Sequence, residues 1–205
     1  MSKGLIGKKL GMISVYAPDG TQIPVTVIKA GPCVVTQVKT VENDKYNALQ
    51  LGFDEKKRKI NKPMQGHFRN NGEKAFYKLK EFSVENSGEY TPGQEINLDI
   101  FNKGEKIIIS GASKGKGFSG TVKRHGFSRG PEAHGSRNVR KPGSVGCSAY
   151  PARVIKGKKM PGQHGNKRIT VKNLEIVDIL PEENVLLVKG AVPGHVNSYI
   201  EIKKA

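Results

Sequence analysis

The basic stretch between Lys106 and Lys172 constrains the fold of this chain more than any other feature. Its 67 residues contain sixteen Lys or Arg and a single acidic residue, Glu132, so they carry +15 of the formal charge of +17. They also contain twelve of the 25 glycines and four of the eleven prolines. Burying so many unpaired cations would cost many kcal/mol, so the stretch cannot form a core. We therefore predict a mostly extended loop that binds a dense polyanion.

The remainder of the chain has more evenly balanced charges and reads as an ordinary folded protein. Runs rich in Val, Ile and Thr are separated by turn signals such as Asp19-Gly20 and Ala30-Gly31-Pro32. The predicted strands are a run that ends at Tyr16 and the ranges 22–29, 33–39, 46–53, 95–100, 106–110, 174–180, 185–189 and 198–202. Short strands at this spacing favour a barrel or a sandwich over alternating βαβ units.

The polar segment 54–92 breaks the strand pattern. Pro63 suits the first turn of a short helix, and we predict a small α+β insert with one or two short helices and room for an extra strand. The segment begins with the basic run 56–59, Lys-Lys-Arg-Lys. Two interpretations of this run stay open, a solvated face and a separate contact with nucleic acid.

The chain shows no sign of secretion, membrane insertion or metal binding in its sequence. Residues 1–5 lack the apolar run of a signal peptide, and no segment approaches the roughly 18 apolar residues that a membrane helix needs. Cys33 and Cys147 are far apart and form no CxxC pair, which argues against a disulfide framework or a zinc site. The sequence predicts a soluble cytoplasmic protein without a metal and without a membrane partner.

The glycine cluster 115–120 satisfies the pattern GxGxxG but lacks the context of a nucleotide site. A dinucleotide fold needs a helix at the third glycine and an acidic residue about 20 positions later. Here Gly126 stops a helix almost at once, and no acidic residue lies at that distance. We expect the glycines to let backbone amides and cations approach phosphates together. The cations beside them are Lys114, Lys116, Lys123 and Arg124.

The sequence offers no catalytic constellation. Its histidines form no metal-binding pair, there is no nucleophile elbow, and the basic stretch contains only Glu132 as an acid or base. We predict no catalysis, no cofactor and no small-molecule substrate. For His134 and His164 two roles stay open, contact with or stacking on RNA, and a solvated imidazole.

The basic stretch has a neutral centre. Residues 137–141 and 153–159 are basic arms, whereas residues 142–151 between them carry no charge. If residues 126–165 form a hairpin-like excursion, the neutral segment lies at its apex, and the arms hold phosphates while a small tip enters a crowded place. The alternative is a flexible basic linker with an incidental neutral patch.

Five longer segments carry a more specific signal. They are residues 7–12, 24–28, 111–124, 156–166 and 187–194, and the third reads GASKGKGFSGTVKR. In this order, over nearly the whole chain, they resemble the ribosomal protein L3 family of the large ribosomal subunit, at the length of a bacterial or organellar member. Some bacterial members carry a methylated glutamine at the loop tip; the matching residue here is Ala149, so the resemblance implies no such modification.

The resemblance implies a mainly β fold, a six-stranded Greek-key barrel of the translation-protein type with a small α+β insert and a long basic loop. The implied parts are 1–53 and then 93–125 with 166–205 for the barrel, 54–92 for the insert, and 126–165 for the rRNA-binding loop. It also implies a cytoplasmic protein of the large subunit that binds 23S-type rRNA near its 3′ end and acts early in assembly. The loop tip would lie close to the peptidyl transferase centre, and proteins of the L14 and L19 families would be neighbours.

These considerations give two groups of predicted site residues. The predicted rRNA-binding residues are Lys114, Lys116, Lys123, Arg124, Arg129, His134, Arg137, Arg140, Lys141, Arg153, Lys156, Lys158, Lys159, His164, Lys167 and Arg168. The predicted tip residues are Gly143, Ser144, Gly146, Cys147, Ser148, Ala149 and Tyr150. The alternative hypotheses are a non-ribosomal RNA-binding or RNA-chaperone protein and a nucleotide-dependent enzyme that uses the glycine cluster.

Overall fold

A computed structural model describes residues 4–58, 60–69 and 74–205 and divides the chain into two units. The first unit runs from the N-terminus to Ser113 and from Arg168 to Ala205, and the second is Lys114–Lys167. Parts of three sequence predictions fall outside the described residues. They concern residues 1–3 of the N-terminal segment, Lys59 of the basic run and residues 70–73 of the insert.

Strands dominate the described residues, and helices are short. The strands are β1 Gly4–Tyr16, β2 Gln22–Ala30, β3 Cys33–Lys39, β4 Ala48–Glu55, β5 Phe76–Ser83, β6 Glu95–Ile96, β7 Lys106–Ala112, β8 Phe118–Ser119, β9 Gly162–Gln163, β10 Arg168–Leu180, β11 Val185–Lys189 and β12 Tyr199–Lys204. The helices are α1 Val41–Asp44, α2 Lys62–His67 and α3 Thr121–His125, with 3-10 turns at Ser87–Glu89 and Leu98–Ile100.

Six strands close into an antiparallel barrel in the order β1-β12-β7-β10-β11-β2. The two long strands, β1 and β10, each pair with two neighbours, and each is irregular where its register shifts, between Lys9 and Gly11 in β1 and between Val171 and Leu174 in β10. Bulges of this kind bend a strand and increase its twist, which barrel closure requires. The predicted fold class, mainly β with a six-stranded barrel, is confirmed.

Alternating side chains of the barrel strands fill its interior. Ile107 and Ile109 of β7 and Ile202 of β12 have no exposed surface, and Ile200 is 1% exposed. Each such side chain contributes about 1.5–3 kcal/mol by leaving water, an upper range because unfolded chains already bury some surface. The hydrophobic core extends from the barrel to residues of the second sheet, including Phe82.

The second sheet has the strand order β5-β4-β3-β6. It takes in β3 and β4, which the sequence placed mostly in the first part of the barrel, so it begins at Cys33 and extends beyond the predicted insert range 54–92. The predicted strand 95–100 is shorter, because only Glu95 and Ile96 pair with β3 before a 3-10 turn begins. A close approach joins this sheet to the barrel: a Cβ built on Gly4 would lie 2.5 Å from the Phe82 ring.

Helix α2 covers one side of the second sheet. Pro63 lies in its first turn, as the sequence predicts. Phe68 at its end is 1% exposed and packs edge to face on Phe76, with 6.0 Å between ring centroids. The Lys56 ammonium lies 3.5 Å from the Met64 sulfur and 5.2 Å from the centroid of the Tyr77 ring. At least the first residue of the basic run therefore packs on the insert as well as facing solvent.

Candidate nucleic-acid interface

A two-stranded ribbon forms the base of the second unit. β8 pairs with β9 in the register Phe118 to Gln163 and Ser119 to Gly162. Two backbone hydrogen bonds continue the pairing, from Lys116 N to His164 O at 2.8 Å and from His164 N to Gly117 O at 2.9 Å. Gly117 has a φ of +65°, a conformation that favours glycine. The glycine cluster thus begins a tight backbone ribbon.

Helix α3 locks the two ends of the excursion together. It contains five residues and ends at Gly126, whose φ is +70°. Its Arg124 donates a hydrogen bond of 2.7 Å to Met160 O, and a ring nitrogen of His125 lies 2.9 Å from the same oxygen. A Cβ on Gly162 would lie 2.6 Å from the Arg124 guanidinium, so the absence of a side chain there makes room for it. The short helix agrees with the sequence analysis, in which Gly126 stops a helix too early for a dinucleotide site.

The second unit has almost no carboxylates to neutralise its cations. Residues 114–167 contain thirteen Lys or Arg and one acidic residue. That residue, Glu132, already forms an ion pair with Arg129 at 2.6 Å. Every Lys and Arg of the unit except Arg124 is exposed. The resulting positive field is open to a polyanion and is screened within roughly 10 Å at 0.1 M salt.

Residues 130–139, which include the start of the first basic arm, fold back on themselves. Gly130 N donates a hydrogen bond of 2.9 Å to Val139 O, which closes a loop of about ten residues. A Cβ on Gly130 would lie 2.7 Å from the Asn138 carbonyl oxygen, so a side chain at this position would force the two segments apart. Residues 130–139 therefore form a closed, non-helical loop within the stretch that the sequence predicted to be mostly an extended loop.

The neutral tip, residues 143–150, is exposed at every position. Ser144 Oγ donates to Gly146 O at 3.0 Å, and the chain returns soon afterwards, because a Cβ on Gly146 would lie 4.0 Å from Arg153 O. Tyr150 is 88% exposed and is the largest side chain of the tip. The neutral segment thus contains the chain reversal between the two basic arms.

His164 of the ribbon's second strand segment lies near several cations of the second unit. Its Nδ1 is buried and has no hydrogen-bond partner among the described residues. Desolvation lowers the pKa of the imidazole, and the charges of Lys116, Lys123 and Arg124, together with His125, lower this pKa further. The neutral form is therefore favoured.

Comparison with known proteins identifies the family. The sequence model of the family described as ribosomal protein L3 matches residues 67–184. A protein of Desulforapulum autotrophicum named large ribosomal subunit protein uL3 is 60% identical over 206 residues, all of both chains. The chain belongs to the ribosomal protein L3 family. Proteins with the same name from Syntrophobacter fumaroxidans and Carboxydothermus hydrogenoformans are each 54% identical, over the whole of this chain and 98% of theirs.

The predicted site residues of this L3 family member fall into four places. Lys114, Lys116, Lys123, Arg124 and His164 lie at or beside the ribbon, and the residues of the arms and the tip lie in the excursion. Arg168 differs from these: it belongs to barrel strand β10, and its guanidinium pairs with Glu201. Lys167 is exposed at the end of the second unit, and His134 is exposed in the loop 130–139 with a φ of 58°.

Sequence reasoning on this L3 family member overlooked two residues of the second unit, one in helix α3 and one in the ribbon. His125 fixes the Met160 carbonyl beside Arg124, and Phe118 projects its ring into solvent with 79% of its surface exposed. An aromatic residue between lysines and glycines is a signal for stacking on nucleobases that the sequence offered.

Neither a membrane span nor a metal cluster emerges from the described residues of this L3 family member. None of the helices within residues 4–58, 60–69 and 74–205 is long and apolar enough to cross a membrane. The same residues contain no group of three or more His, Cys, Asp or Glu arranged to hold a metal ion.

Proposed function

We propose that this protein is a structural component of the large ribosomal subunit that binds 23S-type rRNA through residues 114–167 and has no catalysis of its own. Its membership of the L3 family and the names of its relatives support the place in the large subunit. The residue-level support lies in the second unit.

One observation carries the proposal of rRNA binding. The second unit exposes nearly all of its thirteen cations, and its only carboxylate is already paired with Arg129. Like charges at this density repel one another, so the unit gains stability when a polyanion supplies the missing negative charge. RNA phosphates meet this need, and exposed Lys and Arg are the side chains that most often contact them.

The proposal also assigns separate functions to the parts of the second unit. The arms and the ribbon hold phosphates, and the tip, residues 143–150, approaches the peptidyl transferase centre. Binding takes place near the 3′ end of the rRNA and early in subunit assembly, with proteins of the L14 and L19 families as neighbours. The resemblance to the family supports these points, and the lack of charge at the exposed tip agrees with a part that does not hold phosphates.

The test compares two sets of substitutions in a bacterium whose only copy of the gene is the variant. The arm variant replaces Arg153, Lys156, Lys158 and Lys159 with Ala. The charge-matched control replaces four exposed lysines of the first unit with Ala: Lys29, Lys62, Lys74 and Lys106. We expect the arm variant to reduce the yield of large subunits and to wash off them in high salt. The control is expected to remain bound.

A tip variant completes the experiment. Tyr150→Ala is expected to leave subunit profiles intact and to change the chemical reactivity of rRNA at the catalytic centre, because the ring is lost without loss of charge. A wild-type protein that washes off subunits in high salt would instead indicate the RNA-chaperone alternative. Tip variants that block assembly while the arm variant assembles normally would overturn the division of functions.

A further inference from the structure

Phe118 is an exposed aromatic residue that the phosphate contacts do not explain. Its side chain is 79% exposed, and no other ring among the described residues pairs with it. Large apolar side chains gain free energy by leaving water, so an exposed ring on a fixed element is a candidate for ligand contact. Unlike Tyr150 of the tip, Phe118 lies in regular secondary structure.

The ribbon itself enforces this exposure. Successive side chains of a strand point to opposite faces, and the neighbouring Ser119 is 4% exposed, so its face is turned inward. The hydrogen bonds that hold Lys116 and Gly117 to His164 fix the strand just before the ring. Turning Phe118 inward would require a one-residue slip of β8 against β9, which would break these bonds and expose Ser119.

The surroundings of the ring favour RNA over protein. Lys116 and Gln163 are exposed, and Gln163 lies directly opposite Phe118 in the strand pairing. A protein-docking site of ordinary size needs a contiguous apolar patch, whereas here a single ring is flanked by polar residues and glycine. An isolated aromatic ring with a cation two residues away matches the chemistry of an unpaired nucleotide, which has a flat π face and a phosphate.

We propose that Phe118 stacks on an unpaired nucleobase of the bound rRNA, with Gln163 at the edge of that base and Lys116 at an adjacent phosphate. This inference rests on the proposed rRNA binding and adds to it a contact that is not ionic. The stack anchors the base of the excursion and recognises a nucleotide that is not paired in an RNA helix. The amide of Gln163 can both donate and accept hydrogen bonds, so it suits the mixed edge of a base.

The test uses the full chain and 23S rRNA transcribed in vitro, with affinities measured across a series of salt concentrations. Phe118→Ala and Phe118→Leu are expected to weaken binding about 5- to 150-fold, the range that removal of one aromatic stack causes. Phe118→Tyr retains the ring and is expected to bind within about threefold of wild type. The salt dependence should stay unchanged in all three variants, because no phosphate contact is removed. Chemical probing should show one nucleotide that wild type and Phe118→Tyr protect and that the Ala and Leu variants leave reactive.

The outcomes separate this inference from the proposed function. If the wild-type chain binds 23S rRNA without steep salt dependence, the proposed function fails. If wild type binds with steep salt dependence but Phe118→Ala binds equally well, only the stacking inference fails. Wild-type affinity for Phe118→Leu would mean a generic apolar contact and would overturn stacking. A defect that appears only in assembled subunits would assign the ring to a neighbouring protein and would also overturn it.

Discussion

The two units of this protein differ in the interactions that hold them together. The first unit buries an apolar core and pairs its surface charges within itself, as in the ion pair of Lys204 with Glu105 at 2.9 Å and that of Lys80 with Glu201 at 3.3 Å. The second unit has thirteen cations and one carboxylate, and within it backbone hydrogen bonds and glycines largely set the shape. The first unit therefore has a core and ion pairs of its own, whereas the second carries an excess of positive charge that its single carboxylate cannot neutralise.

The largest expected effect concerns affinity for RNA and its dependence on salt. In the test variant a short Gly-Ser linker replaces residues 128–158, because His125 and Met160 hold the ends of this segment close together. The replaced segment contains seven Lys or Arg. Each phosphate contact adds about 0.7–0.9 to the slope of log affinity against log salt, so the variant should show a much shallower slope.

A full-length control tests whether this effect belongs to charge or to length. The control keeps the full chain and replaces the same seven cations with Gln: Arg129, Arg137, Arg140, Lys141, Arg153, Lys156 and Lys158. We expect the same loss of slope from this variant. Equal slopes for wild type and both variants would mean that the seven cations of residues 128–158 do not supply the phosphate contacts.

The second effect concerns stability. Here a substitution in the first unit should have a large effect and one in the second unit a small effect. Phe82 is 2% exposed and packs where the second sheet meets Gly4, so Phe82→Ala should cost about 3–5 kcal/mol in the free energy of unfolding. Ile155 of the second unit is 64% exposed, and Ile155→Ala should change stability by less than about 0.5 kcal/mol. Urea denaturation followed by circular dichroism measures both. A loss of similar size for Ile155→Ala would show that the excursion has a core of its own.

The smallest effect is a shift in the pKa of His164. Desolvation and the cations around it lower this pKa, so the folded state favours the neutral imidazole. Its contribution to stability is therefore complete above about pH 6.5, the ordinary histidine pKa, and declines as the pH falls below that value. An NMR titration should give a midpoint below that of an unfolded peptide of the same sequence. Lys116→Gln should raise the midpoint, since it removes one of the neighbouring charges.

Binding of RNA should also raise the His164 midpoint, because phosphates neutralise the same cations. The variant His164→Gln identifies the resonance and serves as the control. A midpoint that stays constant or falls when 23S rRNA fragments are added would mean that phosphates do not reach the ribbon. Contact between the second unit and phosphates would then be confined to the arms.

The sequence by itself determined features that depend on residues close together in the chain. The alternation of Val, Ile and Thr located β2, β3 and β11 within about a residue at each end, and Asp19-Gly20 marked the turn between β1 and β2. Gly126 ended helix α3 after five residues because glycine adopts a positive φ without strain. The segregation of charge is a property of composition and requires no coordinates, and the prediction of a polyanionic partner rests on it.

The tertiary structure alone decided which elements meet. β3 and β4 have the strand propensity of barrel strands, yet they pair in the second sheet, since pairing depends on neighbours remote in sequence such as β5 and on the fit of Phe82 against Gly4. Contacts between distant segments also place two residues of the second unit. Arg124 donates a hydrogen bond to the Met160 carbonyl, and the exposure of Phe118 follows from the register of β8 with β9. Local propensity fixes the conformation of a segment, but hydrogen bonds and packing between distant segments fix its partners, and these depend on the fold as a whole.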